Sequence, residues 1–467
     1  MKKRRGHIRE NLSAFSASLL AATIATHADK AAAQPYDSVD DNYGPGVAYS
    51  QFDNALLVYK EAGGRVTAIE PASDLSVHGA SGQQLSLGFV FDSISGATPN
   101  GAVPSNLAQT FLTPLKAVGS TTTVTTASGG STVIQLPPSP GQIAAAALGR
   151  QYIVPPNVLP MDRGFRDRRW AFTFGWSQPV GRISELGFGG GYSTERDYRA
   201  ISANVHAAQN FNSDNTTISF ALNTEFDSSF PYGGIPTPLT EMNAQWKSPT
   251  SRDKTQIGFV LGLTEVMTRH WLMQLNYSFD TQDGYQNDPY RVISVVDPVS
   301  GTPTSNLYEN RPGHRLTQSL YWDNKIDYGP TVTEFSLRYF TDSWGISSKT
   351  AELSERIHLG RKLYIEPNVR WYQQSAANFY HYFLVGAAPL PTYATSDTRL
   401  GQFTGITYGG KIGFNVTGNT ELYVRGQYYQ QTGNGHPANA VGQLRQQDLF
   451  AGTNATFGMI GLTWDFH

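Results

Sequence analysis

Several stretches of this 467-residue chain carry residue types that do chemistry in other settings. Gly405 to Lys411, "GITYGGK", has the Gly-x-x-x-x-Gly-Lys spacing of a phosphate loop. That loop needs a Ser or Thr next, to hold magnesium, and a helix whose N-terminus faces the phosphates. Ile412 follows instead, and Ile406, Tyr408, Gly410, Ile412 and Phe414 recur at every second residue. The pattern predicts a strand, with Lys411 on the face away from the apolar side chains. "GFGGGYS" (187–193) also sits inside a period-two run, where glycines relieve crowding instead of cradling a dinucleotide. Glu355 and His358 are three residues apart, so on a strand they point to opposite faces and cannot share a metal ion. Ser193, His314 and Asp323 supply the residue types of a nucleophilic triad, but no nucleophile elbow surrounds the serine. The chain is therefore expected to be no enzyme, with no catalytic, cofactor-binding or metal-ligating residues and no cofactor. With Cys absent there are also no disulfides, no thiolate metal sites and no covalent haem.

The elements that must carry these residues are strands. Trp170, Phe172, Phe174 and Trp176 alternate with Ala171, Thr173, Gly175 and Ser177, and the same period recurs around Ile218–Phe226, Trp271–Phe279 and Leu363–Trp371. Alternation predicts sixteen strands, near 54–61, 65–77, 83–93, 166–178, 184–194, 197–210, 216–228, 255–267, 270–282, 314–327, 331–343, 349–359, 362–375, 405–417, 420–432 and 454–466. They run roughly 10–15 residues, against a mode of about 5–6 in globular proteins. Their apolar faces are rich in Trp, Phe and Tyr. Short turns follow the even strands, and most long links follow the odd ones: 94–165, 229–254, 283–313, 376–404 and 433–453. A soluble sandwich has no reason to gather long loops at one end, whereas an outer-membrane barrel does. No run of about 18 apolar residues provides a membrane helix.

The expectation is an all-β fold, a single antiparallel transmembrane β-barrel of about sixteen strands, with short periplasmic turns and long extracellular loops. Its polar faces then carry charge into the lumen. Lumen-lining candidates are Arg169, Glu225, Asp227, Asp280, Asp323, Lys325, Glu334, Arg338, Asp342, Arg356, Lys362, Glu366, Arg370, Lys411 and Arg425, with Asp167, Glu352 and Glu421 beside them. These charges can form cross-strand ion pairs that stiffen the wall, or line a pore that selects solutes, and both can hold at once. Their mixed signs point to weak ion selectivity. Lys and Arg number 35 against 37 Asp and Glu, so no basic field recruits nucleic acid.

Residues 1–33 read as a secretory signal peptide, with a basic "MKKRR", an apolar "LSAFSASLLAATIA" and small residues before Gln34. Residues 34–53 are expected to be a periplasmic segment, and 54–467 the barrel. The loop 94–165 is nearly uncharged and is expected to cap or enter the lumen, with "PGQIAAAALGRQY" forming a short helix. Ile460, Leu462, Trp464 and Phe466 share one face of the last strand, a pattern that resembles the signal read by the outer-membrane assembly machinery.

The loop stretches "STERDYRA", "EFDSSFPYGGIPTP", "DGYQNDPYRV", "YENRPGH", "YFTDSWG" and "NFYHYF", together with "FDSISGATPNGA", resemble a bacterial family, the domain-of-unknown-function-3570 proteins. The resemblance implies an outer-membrane protein of Gram-negative bacteria and brings no activity or site residues with it. The expected partners are outer-membrane lipid and a small solute of unknown identity passing a porin-like channel. The alternative is a sheath or anchor for a periplasmic or lipoprotein partner, redox proteins included; a barrel hydrolase stands behind both.

Overall fold

The structure, a computed structural model, describes residues 48–113, 121–125, 131–135, 150–242 and 247–466. The expected signal peptide, most of the expected periplasmic segment and residues 140–149 of the expected helix lie outside the described residues. Residues 150–152, at the end of that helix, form part of a short strand instead, Arg150–Val154.

Sixteen strands close into one antiparallel barrel. In chain order they are β1 Tyr49–Glu61, β2 Thr67–His78, β3 Gln84–Pro99 and β4 Met161–Val180. Then come β5 Ser184–Thr194, β6 Tyr198–Phe211, β7 Thr216–Ser229 and β8 Arg252–Thr268. β9 Trp271–Gly284, β10 His314–Asp327, β11 Thr331–Asp342 and β12 Ser347–Leu359 follow. β13 Leu363–Gln374, β14 Phe403–Thr417, β15 Thr420–Gly433 and β16 Asn454–Phe466 complete the ring. Closure is made by β16 on β1, with Ser50 opposite Phe466 and Glu61 opposite Ala455. Closing the sheet leaves no edge strand, so every backbone group within the wall has a neighbour to bond.

Each expected strand is present, and the differences are at the ends. Residues 49–53, assigned in sequence to the periplasmic segment, belong to β1, because Gln51 to Asp53 pair with β16 on one side and β2 on the other. β3 does not stop at Ser93: it runs on to Pro99 against the start of β4, with Thr98 opposite Asp162. Asp92 is accordingly an inner-wall residue, 2% exposed.

The two faces separate as the alternation requires. Along β16, Ala455, Phe457, Met459, Thr463 and Asp465 are buried, while Ile460 and Trp464 are exposed. Cross-strand partners share a face, so the register carries this assignment around the ring. Outward positions include Phe172, Val205 and Leu222, roughly half exposed and forming the apolar band that a bilayer covers. Short turns occupy one end: Asn212, Ser213 and Asp214 take left-handed φ angles of 51°, 54° and 65° in one of them. The other end carries three short links and five long ones, 100–160, 230–251, 285–313, 375–402 and 434–453.

The described parts of the long links pack on one another. Val292–Val296 pairs antiparallel with Pro303–Tyr308 and parallel with Leu384–Val385, giving a small sheet built from two links. One apolar core takes Val103 from the link after β3, Val296 from that after β9, Phe383 from that after β13, and Ala440, Leu444 and Leu449 from that after β15. The links after β3 and β9 leave the ring six strands apart, a chord of roughly 30 Å. They nevertheless touch: the Val103 amide donates to Ser294 Oγ at 3.1 Å. That contact brings segments of two separate links together at the long-link end of the barrel.

Candidate functional site

Two regions concentrate polar chemistry: the inner wall and the folded links over its mouth. On the wall, the registers place nearly every sequence-predicted charge on the inner face. Arg169 of β4 is buried against Asp92 of β3, its guanidinium bonded to that carboxylate. Glu225 and Asp227 of β7 both accept from the Gln256 amide of β8, at 3.0 and 2.9 Å, and Lys254 Nζ lies 2.9 Å from Asp227. Asp280 of β9 accepts from Gln282 at 2.9 Å. Lys325 of β10 reaches Glu334 of β11 at 3.1 Å, Asp323 lies two residues along the same inner face, and Arg338 donates to Ser319 at 2.9 Å.

Near the short-turn end, β12 to β15 form a belt of bases, acids and phenols. Arg356 lies 2.6 Å and Arg425 3.5 Å from Glu366, and Lys411 lies 3.3 Å from Glu421. The Tyr364 hydroxyl donates to Glu421 at 2.7 Å, and Lys411 Nζ sits 4.2 Å from the Tyr423 ring centroid. Arg370 stands opposite Glu352. Two candidates differ from expectation. Lys362 lies in the exposed turn between β12 and β13, because the strand starts one residue later, at Leu363. Asp342 has a buried side chain that accepts the Trp344 and Ile346 amides at 3.0 and 2.8 Å and pairs with Arg315 at 2.6 Å, so it fastens a short link instead of lining open space.

Sequence reasoning passed over Asp53, Glu70, Glu185, Lys254 and Arg315, all inward by register. Extending two strands by one residue would have found Asp53 and Lys254, while Glu70, Glu185 and Arg315 lay within expected strands on the polar face. It also left unassigned the ionic cluster that ties the links. Asp397 receives Arg311 at 2.9 Å, Arg399 at 2.6 Å and Arg291 at 3.5 Å. Glu309 accepts from Arg311 at 3.0 Å, from Thr395 at 2.6 Å and from the Asp288 amide at 2.5 Å. Burial alone would raise the Asp397 carboxyl, but Arg291, Arg399 and Arg311 together hold it well below the usual carboxylate range. Burial pushes Glu309 up, with Arg311 opposing. Ser396 Oγ donates to the carbonyls of Gly101 and Val292, each at 2.8 Å, so the cluster also grips the link after β3.

The sites excluded in sequence are not assembled. Lys411 faces its acid and phenol partners on the wall. Thr333 donates to Glu355 on the outer face, while His358 packs by Tyr364 on the inner one. His314 pairs with Asp283 at the edge of β10, nine residues along the strand from Asp323 and on the other face. One acidic group gathers at the rim, Asp167, Glu195 and Asp197, with carboxylate oxygens within 4.8 Å of one another. Asp197 accepts the Tyr290 hydroxyl, and Asp167 accepts the Arg168 and Arg196 amides at 2.7 and 3.3 Å. Burial first, then the Asp167 charge, pushes the Glu195 carboxyl up to about 8.

The profile of a family described as protein of unknown function, DUF3570, matches residues 16–464. The chain belongs to the DUF3570 family. No curated protein matches this DUF3570 chain. Among solved structures it is similar to the siderophore receptor PirA from Pseudomonas aeruginosa, at 12% identity and a TM-score of 0.37 over 88% of this chain and 61% of that one. It is similar to CdiB from Acinetobacter baumannii at 8% identity and a TM-score of 0.43, over 89% and 60% of the two chains. A bacterial polysaccharide outer membrane secretin is similar at 8% identity and a TM-score of 0.42, over 91% of this chain and 100% of that one. The DUF3570 chain thus spans about three fifths of the length of the first two.

Proposed function

We propose that this chain is an outer-membrane channel for small solutes, whose external mouth is folded over by its own long links. The observation that carries the reading is the division of the barrel into an apolar outer band and an inner wall of ion pairs, amides and phenols. A sixteen-strand ring is wide enough to leave an aqueous path once its inner side chains are placed. The solute gradient drives passage; the wall supplies hydration and charge across the lipid. In the cell the barrel sits in the outer membrane, delivered by the signal peptide and inserted by the assembly machinery through β16. Among the described residues, no set assembles the geometry of a catalytic site that this reading would use.

A second reading, a sheath or anchor for a periplasmic or lipoprotein partner, draws on the apolar core of the crossed links, which suits a barrel whose lumen is held shut. Liposome swelling separates the two. Vesicles carrying the purified barrel should swell in isotonic arabinose faster than empty vesicles. Swelling at the empty-vesicle rate, with a partner co-purifying at equal stoichiometry in mild detergent, would favour the sheath.

A further inference from the structure

The inner wall is unevenly charged. Among the described residues, inward positions on the seven neighbouring strands β16 and β1 to β6 carry a single Lys or Arg, Arg169. Against it stand Asp53, Glu70, Asp74, Asp92, Asp167 and Glu185. Arg169 is already engaged by Asp92. Asp53 and Asp74 face each other directly across β1 and β2, a like-charge placement that destabilises a sheet unless something offsets it. The other inward bases stand from β8 round to β15, where carboxylates meet many of them locally: Asp227 on Lys254, Asp342 on Arg315, Glu334 on Lys325, Glu366 between Arg356 and Arg425, and Glu421 on Lys411. Among the described residues, the arc of β16 and β1 to β6 therefore holds more inward acids than inward bases.

A separate observation points the same way. Asp92 in this arc, and Asp227, Asp280 and Asp323 farther round the wall on β7, β9 and β10, each keep one buried carboxylate oxygen without a hydrogen-bond partner among the described residues. Arrays of Asp and Glu along a pore raise the local concentration of cations and repel anions. The mixed signs of the sequence suggested little selectivity, but the register sorts those signs by place.

We propose that the lumen selects cations, both small inorganic ones and organic ammonium ions, through the acidic arc of β16 and β1 to β6. This rests on the channel reading, and the test keeps the two apart. In planar bilayers under a roughly tenfold KCl gradient, the full-length barrel should show a reversal potential of cationic sign, with K+ favoured over Cl− about fivefold or more. Asp53→Asn with Glu70→Gln and Glu185→Gln should bring that ratio toward one, and Glu185→Gln alone should move it the same way should the triple variant fail to fold. A wild-type ratio near one, or an anion preference, overturns the proposal. Calorimetry with spermine on the detergent-solubilised barrel covers the case of no current. Binding that the triple variant lacks keeps the charge inference while removing the channel reading, whereas no current and no binding overturns both.

Discussion

Arg311, on the link after β9, places a guanidinium nitrogen 2.9 Å from a carboxylate oxygen of Asp397, on the link after β13. Both side chains are almost wholly excluded from solvent, at 11% and 1% exposure. The pair joins two links that leave the ring at separate points, and Ser396 beside it holds a third through Gly101.

Removing Arg311 takes the ion-pair partner from the buried Glu309, while Asp397 keeps Arg291 and Arg399. Arg311→Ala should therefore loosen the crossed links by about 3–5 kcal/mol while the sixteen-strand ring stays intact. Hydrogen exchange should report this as faster exchange in 285–313 and 375–402 with unchanged protection in β10 to β14. Equal loosening in links and strands would contradict it.

The same cluster sets a pH dependence. Asp397 is held below its ordinary value, so its contribution is full above about pH 4 and is lost as pH falls through the lowered value. Glu309 is raised by burial, so its contribution is present at low pH and is lost as pH rises through the raised value. Protection of the Val296 and Leu400 amides, corrected for intrinsic exchange, should peak in mildly acidic solution and decline on both sides. Flat protection across pH 3–8 would count against this account.

Gly101 has a φ of +96°, and a Cβ there would sit 2.2 Å from the Val292 carbonyl oxygen. Backbone of another link leaves no room, and the dihedral disfavours any L side chain. Gly101→Ala should release the link after β3, costing about 2 kcal/mol or more. Limited proteolysis should then cut within 100–113 well before any barrel strand. A wild-type cleavage pattern would show that this approach is dispensable.

The outer band makes a further prediction. Leu222 is outward and near the middle of β7, and Asn223 beside it is inward. Leu222→Arg should lower the stability of the barrel in lipid by about 2–4 kcal/mol, and Asn223→Arg by less than about 1 kcal/mol. Urea titrations in phospholipid vesicles measure both. Equal losses would contradict the assignment of faces.

These faces were legible in the sequence because a strand alternates at a fixed period, so Leu222 and Asn223 could not share a side. Strand count, link lengths and the inward charges followed from that one rule. What the rule does not give is neighbours. Asp53 and Asp74 become an opposed pair only once β1 and β2 are set in register, and Arg169 finds Asp92 only across the gap between β3 and β4. The crossed links were harder still. Arg311 lies in the quoted "YENRPGH" stretch, but nothing local in that stretch points to Asp397, 86 residues later. Links obey no period, and their partners are chosen by which segments meet above the lumen.

Single-channel recording tests the central claim most directly. Purified, heat-modifiable barrel added to a planar bilayer in KCl should give discrete conductance steps, with more frequent opening for Arg311→Ala than for wild type. A correctly folded barrel that gives no steps, in either form, would contradict the account.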